Sequence, residues 1–101
     1  MTERQTEIAI KMLHYLVDNN NYELDGNIHT HVSNGDTSDM DILDDYLFVK
    51  NTLENDNHLI RINKNLVLLT PDGEAAQRIG FEKYLRKIKK GTQLEITLKR
   101  M

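Results

Sequence analysis

The sequence predicts a single, mostly helical α+β domain, and two observations carry that prediction. Residues 58–91 have the pattern of a two-stranded hairpin followed directly by a capped helix. Two earlier stretches, 3–18 and 38–56, repeat apolar residues at helical spacing. A chain of 101 residues, of which 39% are hydrophobic, is long enough for one modest core. We therefore expect one domain over 1–101, with a core over 1–91 and a tail over 92–101.

The first helix is expected over residues 3–18, because apolar residues recur at i, i+4 and i+8 from Ile8. Thr2 and Gln5 match a capping box, in which each side chain pairs with a backbone N–H at the helix start. Three asparagines at 19–21 end the helix.

The next stretch, 22–37, is the least regular, and it predicts either a short strand or a short second helix. The longest central helix is expected over 38–56, with Ser38 or Asp36 as its N-cap. One face of this helix carries four apolar residues, which are Ile42, Tyr46, Val49 and Leu53.

The hairpin consists of apolar runs at 59–62 and 66–69 around a polar tip, 63–65. Its two asparagines tolerate positive φ, so the tip suits a tight turn.

A last helix is expected over 71–90, with Thr70 as N-cap and Pro71 at the first helical position. Gly80 lies inside it, as a close packing point or a kink. Residues 92–101 alternate apolar and polar side chains, which favours a strand that pairs with the chain's own sheet or with a second copy.

Residues 69–73, LTPDG, followed by 80–85, GFEKYL, resemble the wing exit of many bacterial winged-helix domains. The resemblance implies a winged helix-turn-helix: a three-helix core, a β-hairpin wing, a further C-terminal helix and a short terminal strand. Its recognition helix would contain 42–55, and its wing tip would be 63–65. Winged helices usually bind double-stranded DNA, and they also serve as protein-interaction modules.

Charge is divided unevenly along the chain. Residues 1–57 hold 12 acids and 3 bases, a net charge of −9. Residues 58–70 contribute +2, and residues 71–101, with 4 acids and 8 bases, contribute +4. Since phosphate neutralisation by Lys and Arg supplies most non-specific DNA affinity, the first half is poorly suited to DNA.

Two functions are therefore predicted. The first is a DNA-binding transcriptional regulator that is dimeric through the terminal helix and tail and acts mainly through the wing and the basic C-terminal helix. Its candidate contacts are Lys50, Arg61, Lys64, Arg78, Lys83, Arg86 and Lys87. The alternative is an adaptor or assembly module that binds a protein, or a second copy of itself, without DNA. Its candidate interface residues are Asp41, Asp44, Asp45, Phe48, Leu94, Ile96 and Leu98.

Three features each allow a functional and a structural interpretation. Phe48 points away from the apolar face of its helix, so it marks a protein contact or is covered by 22–37. The acids of the central region are solvated helix caps or a patch for a basic partner; they are Asp36, Asp39, Asp41, Asp44 and Asp45. The basic run over 83–90 is a solvated helix face, or it contacts nucleic acid or the acidic half of another copy.

Other classes find little support in the sequence. His29 and His31 are a candidate metal pair on a strand, but no third ligand has a recognisable spacing, so we expect no metal. No nucleophile motif or phosphate-binding loop is present, and we expect no enzyme and no cofactor. The absence of cysteine excludes disulfides. With no apolar segment of about 20 residues, we expect a cytoplasmic protein and no membrane partner.

Overall fold

The computed structural model describes residues 1–87, which form a mostly helical α+β domain, as expected. The elements in chain order are α1 (Glu3–Asp18), β1 (Tyr22–Leu24), α2 (Asp25–Val32), α3 (Met40–Asn55), β2 (Ile60–Asn63), β3 (Leu66–Leu69) and α4 (Pro71–Ile79). Residues 81–87 are helical as well. The predicted strand over 92–101, with Leu94, Ile96 and Leu98, lies outside the described residues.

The three strands form one antiparallel sheet in the order β1-β3-β2. β3 is the central strand, and it pairs Leu66 with Leu24 of β1 and with Asn63 of β2. At each outer strand, a carboxylate accepts a hydrogen bond from a backbone N–H. Glu23 Oε1 accepts from Leu24 N at 2.8 Å, and Glu54 Oε2 accepts from Ile62 N at 2.8 Å.

The core lies between the helices and one face of the sheet. Its largest fully buried side chains come from α1, α2, α3 and the hairpin, and they include Met12, Leu13, Leu16, Ile28, Tyr46, Val49, Leu53, Leu59, Ile60 and Val67. Burial of a Val, Leu, Ile or Met side chain contributes roughly 1.5–3 kcal/mol to stability. This shared apolar layer therefore fixes which face of each helix points outward.

The helices α1 and α3 follow the sequence pattern closely. The Thr2–Gln5 capping box is present, and both of its hydrogen bonds form. At α3 the expected caps, Asp36 and Ser38, were wrong. Asp39 is the N-cap, and its carboxylate accepts from Asp41 N at 3.0 Å and Ile42 N at 3.2 Å.

The irregular stretch 22–37 contains both a strand and a helix, where the sequence left the choice open. Asn20 and Asn21 adopt φ of 63° and 71°, so the chain turns sharply out of α1 and enters β1. Asn is one of the few residues that tolerates this region at low cost.

The hairpin forms where the sequence predicted it, but its turn differs in detail. The residue with positive φ is Lys64, at 57°, rather than one of the neighbouring asparagines. A lysine there carries the steric cost of the left-handed region.

The last helix was predicted as continuous over 71–90, and this was wrong at Gly80. Thr70 and Pro71 begin α4 as expected, with the Thr70 hydroxyl accepting from Gly73 N at 3.0 Å. Gly80 adopts φ of 106° and ends α4. A Cβ built on Gly80 meets no atom within 4 Å, so the glycine makes a kink and not a close packing point.

Among residues 1–87, no helix combines the length and the apolar character that crossing a membrane requires.

Candidate functional site

The solvent-facing side of α3 combines apolar and acidic side chains. Met40, Leu47 and Phe48 are 62%, 45% and 48% exposed. Residues that follow Met40 by four, seven, eight and eleven positions lie on the same side of the helix as Met40. In α3 all of them are exposed. We call this surface the α3 face; it consists of Met40, Asp41, Asp44, Leu47, Phe48 and Asn51.

Burial of the opposite side of α3 holds the α3 face outward. Tyr46, Val49 and Leu53 are at most 1% exposed. Residues 22–37 do not cover Phe48, so the expectation that this stretch buries its side chain was wrong. A large aromatic left half-exposed beside other apolar residues is typical of a contact surface.

Asp45 belongs to a different part of the molecule from the α3 face. Its carboxylate accepts from Arg4 Nε at 2.6 Å and from Gln5 Nε2 at 3.0 Å, which ties α3 to the start of α1. The Gln5 hydrogen bond and then the Arg4 interaction hold the pKa of Asp45 below its ordinary value. We therefore assign Asp45 a structural role.

Lys50 is held in a polar cluster between α2 and α3. Its Nζ lies 3.1 Å from Asp25 Oδ1 and 5.3 Å from the centroid of the Tyr46 ring, and its side chain is 17% exposed. The Tyr46 hydroxyl donates to the same Asp25 oxygen at 2.5 Å. Burial raises the pKa of Tyr46, and the hydrogen bond to Asp25 raises it further. An ammonium engaged in this way is poorly placed to reach a phosphate.

The remaining DNA-contact candidates are spread over two other regions. Arg61 and Lys64 are exposed on the hairpin, while Arg78, Lys83, Arg86 and Lys87 are exposed around the end of α4 and the 81–87 helix. The charged pairs within residues 1–87 are Arg4–Asp45 and Lys50–Asp25, and His14 Nδ1 lies 3.1 Å from Asp18 Oδ2. None of them involves these six bases.

The outer face of the sheet is a surface that the sequence pattern missed. Tyr22 and Leu24 are 53% and 51% exposed, and they lie opposite Leu68 and Leu66 in the pairing of β1 with β3. Side chains of directly opposed residues lie on the same face of a sheet. The apolar run over 66–69 was visible in the sequence, but the pairing of Tyr22 with Leu68 was not.

The histidine pair lies on α2 and not on a strand, so the expected geometry was wrong. His29 stacks on Tyr46 with ring centroids 5.5 Å apart, whereas His31 contacts Tyr15 at 4.3 Å. The two imidazoles therefore have different neighbours. Over residues 1–87, no cluster of three or more His, Cys, Asp or Glu side chains is arranged to hold a metal ion.

In comparisons with known proteins, no family model matches this chain, and no curated protein or solved structure is significantly similar to it.

Proposed function

We propose that this chain is a winged-helix protein-interaction module whose contact surface is the α3 face. The element order and the antiparallel strand order β1-β3-β2 support the winged-helix assignment. In such a fold α3 occupies the position of the recognition helix, and β2 with β3 forms the wing. The module uses α3 to bind a protein rather than the major groove of DNA.

One observation carries the proposal: α3 exposes three large apolar side chains and no free base. Its single base, Lys50, is paired with Asp25. Asp41 and Asp44 are exposed beside Phe48 and would repel a phosphate backbone. Guanine is read most often by Arg or Lys, and neither is present on the α3 face.

The chemistry of the α3 face defines its partner. Met40, Leu47 and Phe48 offer apolar area, and aromatic residues and Met are enriched at protein interfaces. The two carboxylates beside them favour a positively charged ligand. The partner is therefore a protein segment with an apolar stripe and basic side chains, such as one face of a basic amphipathic helix.

A random peptide library displayed on phage tests this directly. We expect selected peptides to be basic and to carry apolar residues at helical spacing. Phe48→Asp should lose these peptides, while a matched exposed change on the hairpin, Lys64→Asp, should retain them. Selection of acidic peptides, or equal binding by the two variants, would refute the proposal. Circular dichroism of each variant excludes loss of fold.

The bases outside α3 support a second candidate function, DNA binding through the wing and the basic C-terminal region. Arg61 and Lys64 are exposed on the hairpin and have no ion-pair partner within residues 1–87. A wing of this kind contacts the phosphate backbone and not the bases.

Fluorescence anisotropy with a mixed-sequence duplex separates the two functions. A DNA-binding wing predicts binding at low salt that falls steeply as salt rises, and that is lost in Lys64→Glu. Lys50→Gln should have no effect on it, because Asp25 already holds Lys50. No binding at low salt would exclude the second candidate for generic duplex DNA.

A further inference from the structure

We infer that the partner of the α3 face is the basic surface of a second copy of this chain. The inference rests on the proposed function and names the ligand of the same site. The basic surface consists of Arg78, Ile79, Lys83, Arg86 and Lys87, all of which are exposed.

The basic surface has the composition that the α3 face requires. Ile79 is 38% exposed and lies next to Arg78 at the end of α4. Lys83, Arg86 and Lys87 stand three and four residues apart, so they share one side of the 81–87 helix. The three bases of the 81–87 helix thus complement the two carboxylates of the α3 face, and Ile79, exposed at the end of the preceding helix, complements its apolar side chains.

The fold keeps the bases pointing outward. Phe81 is buried, and Tyr84 and Leu85 pack against the core as half-buried side chains. This apolar side of the 81–87 helix faces a cleft lined by Thr6, Thr52 and Asp56 as well. The opposite, basic side is left to solvent.

Within one copy the two surfaces lie apart. The 81–87 helix lies beside the C-terminal end of α3, at Thr52 and Asp56, whereas Asp41 and Asp44 lie in its first turns. At 1.5 Å of rise per residue, Asp44 is about 12 Å from Thr52 along the axis, and Asp41 is about 22 Å from Asp56. Within residues 1–87, no ion pair joins Asp41 or Asp44 to the bases of the basic surface. We therefore match these charges between copies and not within one.

A two-fold dimer uses the contact twice. The α3 face of one protomer lies against the basic surface of its partner, and the reverse contact forms at the same time. Exposed ion pairs are individually weak because water and salt screen them. The apolar side chains beside them supply the remaining affinity, so the association weakens with salt but does not depend on charge alone.

Analytical ultracentrifugation of the full chain with charge-reversed variants tests the inference. We expect wild type to dimerise at low salt, with a dissociation constant at least about tenfold weaker in roughly 0.5 M salt. Asp41→Lys with Asp44→Lys should give a monomeric variant, as should Lys83→Glu with Lys87→Glu. A mixture of the two variants should form a one-to-one dimer, since every reversed charge then meets its opposite.

The controls separate failure of this inference from failure of the proposed function. Arg61→Glu, on the hairpin, should leave the dimer intact. A monomeric wild type, or dimers in both charge-reversed variants, would overturn the inference. If wild type is monomeric but Phe48-dependent peptides are still selected, the proposed function stands with a different partner. If neither is seen, both fail.

Discussion

Lys50 Nζ lies 3.1 Å from Asp25 Oδ1, so the single base of α3 is paired with the first residue of α2. The Tyr46 hydroxyl donates to the same carboxylate oxygen. Asp25 thus joins the two helices, and loss of its carboxylate charge would leave the ammonium of Lys50 without a counter-charge.

We expect Asp25→Asn to lower the free energy of unfolding by about 1.5–3 kcal/mol, the range for hydrogen bonds to charged groups. Urea denaturation followed by circular dichroism measures it. The matched control is Asp36→Asn, an exposed position outside the helices, which should change stability by less than about 0.5 kcal/mol. Adding Lys50→Met to Asp25→Asn should recover part of the loss, because the unpaired charge is then gone. Equal stability of Asp25→Asn and wild type would contradict this account.

The contact of Asp45 with Gln5 and Arg4 predicts an acid-dependent loss of stability. The pKa of Asp45 is lower in the folded state than its ordinary value of 3.8. Its stabilising contribution is therefore complete above that value and is lost as the pH falls through the folded pKa. We expect the difference in urea midpoint between wild type and Asp45→Asn to be largest near neutral pH and to shrink below about pH 3.8. A pH-independent difference would show that the carboxylate charge is not involved.

Two glycines in helices should respond to alanine in opposite directions. A Cβ on Gly73 would lie 2.2 Å from the Leu59 carbonyl oxygen and 2.4 Å from Leu69 Cδ1, whereas one on Gly26 meets nothing within 4 Å. Gly73→Ala should therefore lose about 1–3 kcal/mol through overpacking. Gly26→Ala should gain up to about 1 kcal/mol from helix propensity. Thermal unfolding of the two variants checks the pair, and a stabilised Gly73→Ala would show that α4 is not packed against Leu59.

The turn of the hairpin should be improved by glycine at one position only. Lys64 adopts φ of 57°, which costs an L-residue with a long side chain roughly 1–2 kcal/mol. Because glycine also loses more chain entropy, we expect Lys64→Gly to gain only about 0.5–1 kcal/mol. Asn63→Gly, at a strand position, should lower the melting temperature instead. A higher melting temperature for Asn63→Gly than for Lys64→Gly would mean that Lys64 is not the residue with positive φ in this turn.

The sequence predicted those elements whose signals are local. The Thr2–Gln5 box, the hairpin and the Thr70–Pro71 start of α4 each depend on residues within a few positions of one another, and each is present. The buried side of α3, with Tyr46, Val49 and Leu53, was also predictable, because the helical period determines which residues share a side.

Elements fixed by distant residues were not predictable. β1 has three residues, and it is a strand only because β3, more than 40 positions later, pairs with it. The pairing of Lys50 with Asp25 joins residues 25 positions apart, and that of Asp45 with Arg4 joins residues 41 apart. No periodicity encodes such contacts, so the sequence pattern did not predict that either side chain is paired within the fold. The sequence indicated that Gly80 interrupts the helix. The direction in which the chain continues after the kink depends on the burial of Phe81, which the sequence pattern does not encode.

The two glutamates at the outer strands have a further consequence for how this protein behaves at high concentration. An uncovered strand invites another chain to extend the sheet, which is a common route to aggregation. Glu23 and Glu54 each occupy a backbone donor that an incoming strand would need. A strand that adds beside β1 would have to displace Glu23, and one that adds beside β2 would have to displace Glu54. Growth by strand addition at these two edges of the described sheet is thereby disfavoured.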